Sequence, residues 1–153
     1  MSIRSIGTTL AFCIVGAAVA IAANPQIGTW KLNEAKSKLP GVAKNHLVVY
    51  TEAGDNVKVA IDGVDSAGKT YHSEWTGKMD GKDYPVTGDS QTDARSYKVV
   101  DANTLAFESK KGGKVTLTGT VVVSADGKSR TVVSSGTNAK GEKIAQTAVY
   151  DKQ

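Results

Sequence analysis

Apolar and polar residues alternate in short runs along most of this chain. Val57, Val59 and Ile61 alternate with Lys58, Ala60 and Asp62, and Tyr71, Ser73 and Trp75 alternate with Thr70, His72, Glu74 and Thr76. A period of two marks a strand that buries one face. Further strand-like runs cover Gln26 to Asn33, His46 to Glu52, Arg95 to Val100, Thr104 to Ser109, Val115 to Ser124, Arg130 to Ser135 and Lys143 to Asp151. In the Val115 run, Val115, Leu117, Val121 and Val123 share one face, opposite Thr116, Thr118 and Thr120. The short segment around Tyr84-Pro85-Val86 reads as an edge or irregular strand, because Pro85 offers no N–H to a ladder.

Turn chemistry separates the runs: Ala53-Gly54-Asp55-Asn56, Asp65 to Lys69, Met79-Asp80-Gly81-Lys82, Asp101-Ala102-Asn103, Lys110 to Lys114, Ala125-Asp126-Gly127-Lys128 and Thr137 to Gly141. Asp-Gly pairs between alternating runs are hairpin signals. Glu34 to Asn45 is a connection with room for one helical turn at Glu34 to Ser37 before Pro40-Gly41 ends it. No amphipathic helix is apparent. The chain thus predicts an all-β fold, an antiparallel up-and-down β-barrel of 8–10 strands, in which closure removes exposed edges. An immunoglobulin-like sandwich, the alternative, needs longer crossovers than most of these connections allow.

The first two dozen residues break the pattern. Arg4 is followed by an uncharged run from Ser5 to Asn24, ending in Ala20-Ile21-Ala22. A basic start, an apolar stretch and a small-x-small site predict a cleaved signal peptide over 1–23, with the barrel domain over 24–153 and export to the periplasm or beyond. An uncleaved anchor is the alternative, although the Ala and Gly content makes a weak span. Cys13, the one cysteine, lies within this leader; Phe12 before it is too bulky for a lipoprotein cleavage site. The mature chain then has no thiol for disulfides, metal or nucleophilic catalysis. With the leader gone, no further segment is apolar enough to be an integral membrane helix.

The formal charge is +4, or +3 without Arg4, and the charges are interspersed. No Lys/Arg run with interleaved aromatics suggests nucleic acid as a partner.

The segment Gly28-Thr29-Trp30-Lys31-Leu32 at the head of the first strand, followed by a β meander, resembles the start of bacterial lipocalin-like domains of the wider calycin group. The resemblance implies that Trp30 plugs the closed end of a barrel and that Gly28 lets the chain pass close by. Lipocalins also carry an Arg near the last strand that packs on this Trp. Here the final strand offers only Lys143 and Lys152, and Arg130 lies one strand earlier. The twelve residues from Glu34 to Asn45 are too few for the helical pair of the intracellular fatty-acid-binding relatives.

Candidate chemistry is sparse. His72 and Glu74 share what reads as a solvated outer face, and His46 sits at a strand entrance. Two histidines without a matching carboxylate motif make a poor zinc site, and Asp80, Asp83, Asp89 and Asp93 lack calcium-loop spacing. There is no Gly-x-Ser-x-Gly and no glycine-rich phosphate cradle. The expectation is therefore no enzyme, no catalytic residue, no metal and no cofactor. A binding role has more support. Tyr71, Trp75, Tyr97 and Phe107 fall on inward faces among small residues, and they are the candidate lining of a ligand cavity; a solid core is the alternative. If Trp30 marks the closed end, the connections at the other end carry ten basic and six acidic side chains, against five and six at the base. Lys110, Lys111 and Lys114 form part of that rim. A basic rim over an apolar interior suits a small hydrophobic or amphiphilic ligand, possibly anionic. The alternative function is an exported interaction module, such as an inhibitor or envelope-associated protein, without a ligand cavity.

Overall fold

The computed structural model describes residues 23–138 and 140–153. The expected leader, residues 1–23, lies outside the described residues apart from Ala23. Ten strands follow in order: β1 (Gly28–Leu32), β2 (Lys44–Ala53), β3 (Asn56–Val64), β4 (Thr70–Gly77), β5 (Tyr84–Thr87), β6 (Ala94–Val99), β7 (Thr104–Lys111), β8 (Lys114–Val123), β9 (Ser129–Thr137) and β10 (Lys143–Lys152). Each pairs antiparallel with its sequence neighbour, and β1 pairs with β10 to close the barrel. The expected meander is therefore the observed one, at the upper end of the predicted strand number.

Closure depends on the segment after β1. β1 pairs with only Tyr150, Asp151 and Lys152 of the ten-residue β10, so most of that edge of β10 is left without a β1 partner. Asn33 stops β1 by accepting a hydrogen bond from Lys36 N–H, which caps a single 3-10 turn at Glu34–Lys36, where the sequence placed a helical turn. Asn33 N–H still donates to Val149 O, Ser37 Oγ accepts from Val149 N–H, and Lys38 bridges Thr147 in both directions. The connection thus continues the seam toward the mouth and satisfies backbone groups that an edge would leave open.

Register sorts the interior into slanting rows. From mouth to base they are Arg95, Ser109, Leu117, Gly136 and Ile144; then Tyr97, Phe107, Gly119, Ser134 and Gln146; then Leu105, Val121, Val132 and Ala148; then Val123, Arg130, Tyr150 and Leu32. Glycine at 119 has a packing reason. A Cβ there would come within 2.7 Å of the Phe107 ring, which lies across it. Two bulges reset the alternation. One, between Asn45 and Leu47 on β2, leaves His46 as an extra, exposed residue and Asn45 facing in. The other, between β7 and β8, pairs Lys110 with Val115 while Ser109 pairs with Leu117. Val115 therefore shares the outward face of Lys110 and is 49% exposed, which corrects its expected inward placement beside Leu117.

Candidate functional site

The barrel is shut at the end where β1 begins. Trp30 has no exposed surface, and its indole N–H donates to Gln26 O at 2.8 Å. Gln26, itself buried, reaches across to Asn103 O. The Arg130 guanidinium carbon lies 4.9 Å from the Trp30 ring centre, 4.8 Å from Tyr50 and 5.0 Å from Tyr150, and Lys152 Nζ lies 5.1 Å from Trp30. A cation over an aromatic face is held by the ring quadrupole. Arg130 is carried by β9, where it stands directly opposite Tyr150 of β10. The Tyr150 hydroxyl is pushed up to about 12, chiefly by burial, with Arg130 pulling the other way. Gly28 has φ +132, a region that favours glycine, and a Cβ there would meet the Lys152 side chain at 2.6 Å. Its close neighbour is thus a side chain of the plug.

Above the plug the four candidate cavity residues all face inward, but in two roles. Trp75 and Tyr97 pack edge to face with centres 4.8 Å apart, and both are buried. Tyr97 also contacts Tyr50 and Phe107, each at 6.1 Å, and Trp75 contacts Tyr84 at 5.8 Å. This is a mutually packed aromatic layer, fixed further by Trp75 N–H donating to Arg95 O at 2.8 Å. Phe107 and Tyr71 are half-buried, and the Tyr71 hydroxyl donates to Asn45 Oδ1.

Nearer the mouth the interior becomes polar. Ser73, Ser109, Ser134 and Arg95 are all buried there. Arg95, 8% exposed, donates through Nε to Ser109 Oγ at 2.9 Å. Among the described residues no carboxylate lies within ion-pair distance of it. Burial opposes its charge, the neighbouring Tyr97 and Tyr50 favour it, and the net is a guanidinium held above the ordinary arginine value. Arg95 opens the strand-like run from Arg95 to Val100, where a charge would ordinarily face solvent. Its inward position was signalled by Tyr97, two residues on and in the same phase.

The rim itself divides. Lys110 is ion-paired: its ammonium sits 2.7 Å from Asp83 and 3.2 Å from Glu108. Lys44 is likewise held by Glu34 at 2.8 Å. Lys111 and Lys114 remain exposed on the β7–β8 turn, with no ion pair among the described residues. His72 and Glu74 lie on the exposed outer face as expected. His72 contacts Asp62 at 2.7 Å and Glu74 at 3.5 Å, and Lys58 pairs with Glu74 at 2.6 Å. These carboxylates raise the His72 pKa above 6.5, the Asp62 hydrogen bond contributing most. Stability linked to this proton is present in full below about 6.5 and is lost as pH rises through the higher folded value. An NMR titration should place the His72 midpoint above that of an unstructured peptide, and Asp62→Asn should bring it down; no change in the variant would remove the hydrogen bond as the cause. No group of three or more His, Cys, Asp or Glu side chains placed to hold a metal occurs among the described residues. Nor does any helix there have the length and apolarity to cross a membrane.

No family model matches the chain. No curated protein matches it either. Among solved structures it is similar to EF1p2_mFAP2b bound to DFHBI, at 12% identity over 86% of this chain and 97% of that one, with a TM-score of 0.49. It is also similar to a redesigned β-barrel, mFAP1, bound to DFHBI, at 15% identity over 86% of this chain and 98% of that one, with a TM-score of 0.45.

Proposed function

We propose that this chain is an exported lipocalin-like carrier that takes a small hydrophobic or amphiphilic molecule through the end of the barrel opposite Trp30, without catalysis. One observation carries the reading. On β4, β8 and β10 the inward-facing residues lose burial from base to mouth: Trp75 and Ser73 are buried but Tyr71 is not, Val123 and Val121 are buried but Leu117 is not, and Tyr150 and Ala148 are buried but Gln146 and Ile144 are not. A barrel shut at one end and open to solvent at the other has the shape of a one-ligand container. Export rests on the leader-like pattern before residue 24, and the lipocalin kinship on Gly28-Thr29-Trp30 with its arginine partner.

Native mass spectrometry of the protein recovered from the compartment to which it is exported tests this. The expected result is a bound small molecule released on unfolding. Absence of any bound mass, together with failure to take up an environment-sensitive apolar fluorophore, would overturn it. The second reading, an exported interaction module, is favoured by a different feature. The outer face of β8–β10 is uncharged over Thr118, Thr120, Val133, Ser135, Ala145 and Thr147, where a shallow concavity of about 460 Å³ lies with Lys38 as its one charged lining residue.

A further inference from the structure

We propose that two copies of this chain pair through the outer face of β8–β10, about a two-fold axis that follows β9. This names a partner for that face and does not rest on the carrier reading. From Thr118 to Val122 on β8, Thr131 to Ser135 on β9 and Ala145 to Val149 on β10, no residue is charged. Register sets the outward side chains in cross-strand rows, Thr118–Ser135–Ala145 and then Thr120–Val133–Thr147 toward the base. The outer face of β3 and β4 is built differently: Lys58, Asp62, His72 and Glu74 stand there and pair with one another. Apolar exposure is concentrated on the uncharged face as well. Six large apolar residues are exposed among the described residues, and Val115, Val122 and Val133 of these belong to it. Val133, at its centre, is half exposed. A contiguous uncharged face of β-branched side chains inside charged margins has the anatomy of an interface.

The margins indicate which partner. Glu108 on β7 lies one strand beyond Thr118, and Lys38, in the connection after β1, lies one strand beyond Thr147. Two opposite charges therefore flank β9, each two strands away. Glu108 also touches Lys110 at 3.2 Å, but its side chain is still 39% exposed, and Lys38 is exposed. A two-fold axis along β9 lays β8 of one copy on β10 of the other, so that each Glu108 meets the other copy's Lys38. Symmetry forms this ion pair twice, and it sets Val133 against its own counterpart on the axis. Strand spacing makes the face about 20 Å wide from β7 to Lys38 and about 25 Å long, so the pair buries about 1,000 Å², the lower limit for a specific interface. The dimer is accordingly a weak one, in the micromolar range.

Sedimentation velocity over a concentration series tests this, on purified protein carrying Cys13→Ser so that an introduced thiol stands alone. The parent should show a reversible monomer–dimer equilibrium. Lys38→Glu and Glu108→Lys should each weaken association at least about tenfold, since symmetry applies each change twice. The double variant, with the charges exchanged, should return to within about threefold of the parent, a rescue that a merely structural role for either residue would not give. Facing sheets lie about 10 Å apart, so a short bis-maleimide should join Val133→Cys chains into dimers while leaving Val99→Cys, equally exposed at the base, largely unlinked. This cross-linking keeps the test decisive if a charge variant does not fold. A protein that stays monomeric up to about 1 mM overturns the dimer, whether another protein or nothing then covers the face. So does association that neither single reversal weakens, or cross-linking no faster at 133 than at 99. Ligand uptake enters none of these readouts, so the carrier reading is decided separately.

Discussion

Trp30→Ala should lower the unfolding free energy by about 3–5 kcal/mol, the range for truncating a fully buried tryptophan. In a domain of this size that corresponds to a fall in Tm of about 10–20 °C. The loss has identifiable parts. The indole fills the base of the barrel with no exposed surface. Its N–H satisfies Gln26 O, a carbonyl on the segment that crosses that end. Its ring is the cation–π partner of Arg130 and of Lys152, and both contacts would be lost. Trp30→Phe separates these parts: it keeps a ring for both cations and removes only the N–H and some volume. Its cost should be less than half that of alanine, by calorimetry or urea unfolding. A Trp30→Ala variant with the native Tm would show that the base is closed by something else, and the direction of ligand entry would have to be reconsidered.

The strand pattern was legible because turn chemistry and alternation agree along this chain. Asp-Gly and Gly-Asp turns bound most of the runs, and the inward phase read from Val57, Val59 and Ile61, or from Tyr71, Ser73 and Trp75, is the buried phase. What sequence could not give was register, and the candidate site depends on it. Arg130 meets Trp30 only because β9 and β10 pair with Arg130 opposite Tyr150, while β10 places Lys152 opposite Trp30. Neither fact is local. The ion pair of Lys110 is hidden for a similar reason: its partner Asp83 is 27 positions away. Val115 was misjudged because a bulge has no dependable local signature and turns every residue beyond it. Arg95 is a different kind of miss. Its phase was readable beside Tyr97, but a charged residue at a strand entrance is ordinarily assigned to solvent.

Arg130 breaks that rule as well, and its replacement should give two different answers. Arg130→Ala should cost about 3 kcal/mol, because a long side chain is removed from between three rings and little can move in to fill the space. Arg130→Met should cost about 1 kcal/mol or less. Methionine keeps most of the length and the contact with Trp30, Tyr50 and Tyr150, and gives up only the charge. That charge is expensive where it lies: Nε and Nη1 are buried without a hydrogen-bond partner among the described residues, and the Lys152 ammonium lies over the same indole ring. Replacing an incompletely compensated buried charge by an apolar side chain of similar volume is commonly neutral or stabilising. The attraction of three ring faces works in the opposite direction, at roughly 0.5–2 kcal/mol each. Urea unfolding of the two variants decides which wins. If methionine proves as damaging as alanine, the cation itself holds the base closed, and the plug is an electrostatic device rather than a packed one.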